Sequence, residues 1–156
     1  MSRSLGPALP PDLQKRLSQQ DLPRLLGRAL PLLTVDDRGR PHPMLCSYLE
    51  LLAVSATVIR VAVGARSGAR RNLETRGVAT LLIVEPDVTV YVKCRASGAP
   101  LLSGELARFE LLVEEVLEDE AAEGEEGARI TDGLTYAPVP ALDSEWARAV
   151  LTALRD

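Results

Sequence analysis

The chain has 156 residues, of which 46% are hydrophobic and 26% charged, and its formal net charge is -4. That size and balance suit one soluble domain with a core of ordinary size. They exclude a membrane span, which needs about 18 consecutive apolar residues, and a protein whose whole surface tracks nucleic acid, an affinity that comes largely from neutralising phosphates.

The opening "MSRSLGPALPPDLQKRLSQQ" lacks the continuous apolar core of a secretion signal, so a cytoplasmic protein is expected. Cys46 and Cys94 are too few and too far apart in sequence for a disulfide framework or a zinc site, and read as reduced, buried thiols. The single histidine, His42, lies between two prolines at the start of a strand and reads as a solvent-facing turn residue.

In chain order, leucines 13, 17, 22, 25 and 26 predict two short helices, with Asp12 and Asp21 as N-caps, Pro23 in the first turn of the second and Gly27 as its stop. "RALPLLTV" predicts a strand, "DDRGRP" a turn around Gly39, and "HPMLCSYLELL" the returning strand. "TVIRVAVG" is a third strand and "VATLLIV" a fourth, apolar throughout and so expected to be buried on both faces. After the turn "EPD", Val88, Val90, Val92, Cys94 and Ala96 alternate with polar residues, which predicts a strand with one wet face. The stretch "LSGELARFELLVEEVLEDEA" suits either period; its neighbours favour a long strand with a bulge near Glu114 and Glu115. "EDEAAEGEEGA" reads as a solvated acidic loop, its spacing matching no calcium loop, so no metal is expected. Trp146, Ala149, Val150, Ala153 and Leu154 recur at helical spacing behind Asp143 or Ser144 as cap, and Trp146 reads as a packing anchor. The sum is a mainly β protein of six antiparallel strands that hides its edges by closing into a barrel.

Between the third and fourth strands stands "GARSGARRNLETRG". Ser67 is placed to cap a short helix and Gly77 to end it. A helix start carries unpaired N–H groups and a partial positive charge, Gly68 admits a ligand close to the backbone, and Arg70 and Arg71 bring forked donors suited to phosphate. The residue types equally suit a solvated face on which Arg66, Arg71 and Arg76 pair with Glu74, Glu85 or the acidic loop. Asn72 and Leu73 tip the balance towards the phosphate cradle.

From this strand, Ser67 and the Asn72–Leu73 pair, through to the buried strand that follows, residues 28 to 117 resemble the pyridoxamine 5'-phosphate oxidase-like, FMN-binding split β-barrels. The resemblance implies a six-stranded antiparallel split barrel with short flanking helices and a homodimer holding FMN in a groove between two barrels. Ser67 and Arg70 or Arg71 would hold the phosphate, with Asn72 at the helix position, and the backbone of Ala62, Val63 and Gly64 would run beside the ribityl chain and ring. Residues 1–156 would then form one domain: a helical segment 1–27, the barrel 28–117, and an acidic loop with a closing helix over 118–156. The chain departs from the vitamin B6 oxidases at Ala69, where they carry a basic residue, and at "PMLCS", where they carry an arginine early in the second strand; both count against pyridoxamine phosphate as substrate. An FMN-dependent oxidoreductase of a small molecule is expected, the alternative being a non-catalytic module for flavin, deazaflavin or haem. Neither a membrane nor a nucleic acid is expected as a partner, since no aromatic platform accompanies the arginines.

Overall fold

The computed structural model describes residues 1–120, 124 and 127–156. Its main feature is an eight-stranded, curled antiparallel sheet in the order β3-β2-β6-β7-β8-β5-β4, with β1 on β8. The strands are β1 (Ser2–Gly6), β2 (Ala29–Val35), β3 (Pro41–Ser47), β4 (Leu51–Ala53), β5 (Val58–Gly64), β6 (Val78–Glu85), β7 (Val88–Ser103) and β8 (Leu106–Asp119). Four short helices flank them: α1 (Pro11–Arg16), α2 (Leu22–Leu25), α3 (Gly68–Thr75) and α4 (Glu145–Arg155). The inner sheet face, through residues such as Leu32, Val61, Ile83, Val92 and Phe109, forms one buried cluster with α1, α2, Leu73 of α3 and the inward face of α4.

The expected β architecture is observed, but with eight strands in place of six. The run "HPMLCSYLELL" is broken at Tyr48–Glu50 into a 3-10 turn, stapled by the Ser47 backbone N–H donating to the Glu50 carboxylate at 2.6 Å, so it makes two strands around a corner. β1 escapes a sequence reading because an exposed edge strand needs no apolar alternation; it pairs with the far end of β8, where Arg3 also reaches Glu118 and, at 2.9 Å, Glu120. β8 bulges as expected: Lys93 faces Glu115 while Cys94 faces Val113, leaving Glu114 as the extra residue.

Three further expectations need correction. β6 is not buried on both faces: Ala79, Leu81, Ile83 and Glu85 are buried while Val78, Thr80, Leu82 and Val84 are half-buried, because one face meets the core and the other the open outer side of the sheet. α1 is capped from Pro10, so Asp12 lies in its first turn, where a negative charge still suits the helix dipole. α4 docks through Ala147, Val150, Ala153 and Leu154, whereas Trp146 is 45% exposed and is no packing anchor.

A buried ionic cluster ties the N-terminal segment to the barrel. Glu85, 2% exposed, accepts hydrogen bonds from the Arg16 guanidinium and from the Tyr48 hydroxyl at 3.1 Å; Arg16 also reaches Asp87 at 2.9 Å and lies over the Tyr48 ring. Both cysteines are free and buried, and burial pushes the Cys94 thiol up to about 12, so neither is a ready thiolate. No helix among the described residues is long and apolar enough to cross a membrane. Of the expected acidic loop, Glu118 and Asp119 belong to the end of β8, and residues 121–123, 125 and 126 lie outside the described residues.

Candidate functional site

α3 starts as its sequence predicts. The Ser67 hydroxyl accepts from the Arg70 backbone N–H at 3.1 Å and keeps its own proton to donate, and Gly77 sits just past the helix end at φ +67°. The four arginines of this segment part company. Arg70 pairs with Glu74 at 3.1 Å and donates to the Ala65 carbonyl at 2.6 Å, folding back along its own helix. Arg66 reaches Glu105 at 2.9 Å, with both side chains largely in solvent, and Arg76 donates to the Asp37 carbonyl. Arg71 has no carboxylate within salt-bridge distance among the described residues; its one contact is a long hydrogen bond of 3.5 Å to the Arg66 carbonyl.

A side chain at Gly68 would meet His42, its Cβ lying 3.2 Å from Nε2 and 3.8 Å from the Arg71 guanidinium. The helix mouth is thus a small cup walled by His42, Arg71 and Ser67 and floored by glycine backbone. Ring nitrogen, guanidinium, hydroxyl and first-turn N–H groups all offer donors there, which fits a phosphate group. His42 is solvent-exposed, as expected, but it lies within β3 and against Gly68 instead of standing in a turn. No local signal could have revealed it, because β3 and α3 are far apart in sequence and meet only through the sheet.

Asn72 faces the other way. Its amide donates to Thr34 Oγ1 at 2.9 Å inside the barrel, and the Thr34 hydroxyl donates to the His42 carbonyl at 3.3 Å. This chain pins α3 to β2 and β3 and so sets His42 against Gly68; Asn72 positions the cup and does not line it. Asn72→Ala should lower unfolding stability by about 1–3 kcal/mol, the cost of leaving Thr34 without its partner, as denaturant melts would measure.

β4 runs out at Leu51, opposite Val61, so β5 from Ala62 to Gly64 has β8 on one side and no strand on the other. Val63 is buried, backbone included, and offers a ligand no surface; Gly64 is the exposed residue of this stretch. Ala62 and Gly64 line a cavity of about 460 Å³ bounded by Glu50, Trp146 and the β7–β8 hairpin tip. A Cβ at Gly64 would lie 3.7 Å from that of Ser67, so the cavity begins beside the helix cap. The sequence-predicted Ala62, Gly64 and Ser67 are thus brought together and Arg71 stands at the cup, while Arg70, Val63 and Asn72 are directed elsewhere. Among the described residues no cluster of three histidine, cysteine or carboxylate side chains could hold a metal.

No family model matches the chain, and no curated protein sequence does. Solved structures do resemble it. An FMN-binding protein from Syntrophomonas wolfei superposes with a TM-score of 0.55 at 14% identity, covering 71% of this chain and 88% of its own. A candidate pyridoxamine 5'-phosphate oxidase from Lactobacillus delbrueckii gives 0.54 at 16% identity, over 73% of this chain and 98% of its own. The flavin reductase PheA2 gives 0.51 at 12% identity, over 60% and 80%. The chain therefore has the split-barrel fold of these proteins.

Proposed function

We propose that the chain binds FMN and serves as a flavin-dependent oxidoreductase of a small molecule, working as a homodimer. The observation that carries this reading is the cup at the start of α3: Arg71 without a carboxylate partner among the described residues, His42 and Ser67 around Gly68, beside a cavity lined by Ala62 and Gly64 of β5. A dianion there would relieve the clustering of positive charge at the positive end of a helix, which otherwise costs about 0.3–1 kcal/mol per charge.

On this reading Ser67, the Gly68 backbone and Arg71 hold the phosphate. Arg70 and Arg66 add field from the rim, and the stretch Ala62 to Gly64, exposed at Gly64, flanks the ring. When bound, the flavin supplies the electron transfer. The chain's own part is to bind, orient and screen. The outer sheet face carries an apolar strip, where Leu33 stands opposite Pro43 and Leu82 opposite Tyr91, beside the charged Lys93 and Arg95, which suits a second copy of this chain.

Visible absorbance of freshly purified protein, followed by titration with FMN, tests the reading. A flavin spectrum that bleaches with an electron donor supports the enzyme, and colour without turnover leaves a flavin carrier. A protein that neither carries nor takes up FMN at micromolar concentration has another function. Sedimentation velocity at micromolar protein should give a dimer.

A further inference from the structure

Trp146 is the chain's single tryptophan. It opens α4 yet lies outside the helix's packed face, and is left 45% exposed. A second cavity of about 240 Å³, between Leu45, Tyr136, Pro138 and Pro140, has Glu50 and Trp146 in its wall, as does the larger one beside Gly64. Both cavities, taken together as the trough, share this pair of lining residues.

Glu50 fastens one oxygen, Oε2, to the Ser47 backbone N–H at 2.6 Å and to its hydroxyl at 3.1 Å. Its Oε1 takes no hydrogen bond among the described residues. It is not sealed in either: the one buried side-chain nitrogen or oxygen without a partner there is Arg108 Nε. Oε1 thus opens on the trough. Burial pushes the Glu50 carboxyl above the usual carboxylate range, against the lowering effect of the Ser47 hydrogen bonds. Among the described residues neither cavity is lined by a lysine or arginine; Glu105 at the rim is paired with Arg66 at 2.9 Å, so Glu50 is the carboxylate left to face a ligand.

We propose that this trough binds a small planar organic cation, its ring against the Trp146 indole and its positive charge facing Glu50. Indole attracts cations through its π face, and the attraction grows as the site loses water. A carboxylate behind the ring supplies the matching charge. An anion or a neutral aliphatic molecule would gain neither contact. The trough reaches Gly64 at the end of β5, so on the flavin reading the cation is the substrate beside the ring; that placement rests on the proposed function, whereas the binding itself does not.

The tryptophan is its own reporter. Titrating the full chain with 1-methylnicotinamide should quench its fluorescence to saturation, and neutral nicotinamide should bind at least about ten-fold more weakly. Glu50→Gln keeps an oxygen for the Ser47 cap, so it should fold. Because the raised Glu50 group favours folding only in its protonated form, wild type loses that contribution as pH rises, and the glutamine variant should match or exceed its melting temperature at pH 7. In that variant the preference for the cation should disappear, a loss of about ten-fold in affinity, as expected for one charge pair near a protein surface. Non-saturating quenching that is the same for both probes, or an unchanged cation affinity in Glu50→Gln, overturns the proposal. So does emission that no probe reaches, the signature of a second copy covering Trp146. Running each titration with and without FMN separates the two readings: cation binding without FMN uptake refutes only the flavin, and FMN uptake without saturable quenching refutes only the cation site.

Discussion

Arg71→Ala is expected to weaken FMN binding about 10- to 100-fold, the loss of one charge-assisted contact of about 1.5–3 kcal/mol, and to leave riboflavin binding unchanged. Riboflavin has the ring and ribityl chain without the phosphate, so the contrast isolates the cup from the cavity. Arg71 is exposed and bonds weakly to one carbonyl, so its removal should hardly move the melting temperature. Arg70→Ala should matter less for affinity, because that guanidinium is held by Glu74 and the Ala65 carbonyl. The double variant should lose more than either alone. Flavin fluorescence quenching measures all four affinities. An equal fall for FMN and riboflavin would mean that Arg71 supports the fold and not a phosphate, and the cup would lose its assigned role.

The largest effect on stability should come from Glu85→Ala. It strips Arg16, 11% exposed, and the buried Tyr48 hydroxyl of their shared acceptor, leaving a charge in a place that water barely reaches. Breaking one side of such a pair costs about 3–5 kcal/mol, which for a chain of this length lowers the melting temperature by on the order of 10 °C. Asp87→Ala is the contrast. Its side chain is 61% exposed, and its pairing with Arg16 should be worth less than about 1 kcal/mol. The hydrogen bond from Arg16 holds the Asp87 carboxyl below the usual carboxylate range, so its small contribution is present at neutral pH and lost as pH falls through that lowered value. Replacing Arg16 and Glu85 together by Met and Leu should recover much of the loss, because no charge is then left buried and alone. A Glu85→Ala melt indistinguishable from wild type would show that the cluster does not hold the N-terminal segment to the barrel.

The comparison of sequence with structure divides along a physical line. Much that depends on a few neighbouring residues was legible, although the Pro10 cap and the Ser47–Glu50 corner were not read. The Ser67 and Ser144 caps, the left-handed Gly39 and Gly77, the bulge at Glu114 and the alternation along β7 each follow from local backbone preference or from a period of two. Local pattern also set the places of β2, β5 and β6 and the run of donors at the start of α3.

Contacts between distant segments were not legible. That His42 would lean on Gly68, that Arg70 would fold back while Arg71 took no carboxylate partner among the described residues, and that Asn72 would turn inward to Thr34 depend on how β3, β2 and α3 meet. The exposure of Trp146 and the open face of β6 have the same origin, because helical or strand spacing says which residues share a face but not what that face will lie against. Sequence thus determined the elements and an anion-seeking helix start, through short-range sterics and hydrogen bonding. Tertiary structure alone decided which donors stayed unengaged, because a side chain's partner is chosen by packing across the barrel and not by its neighbours along the chain.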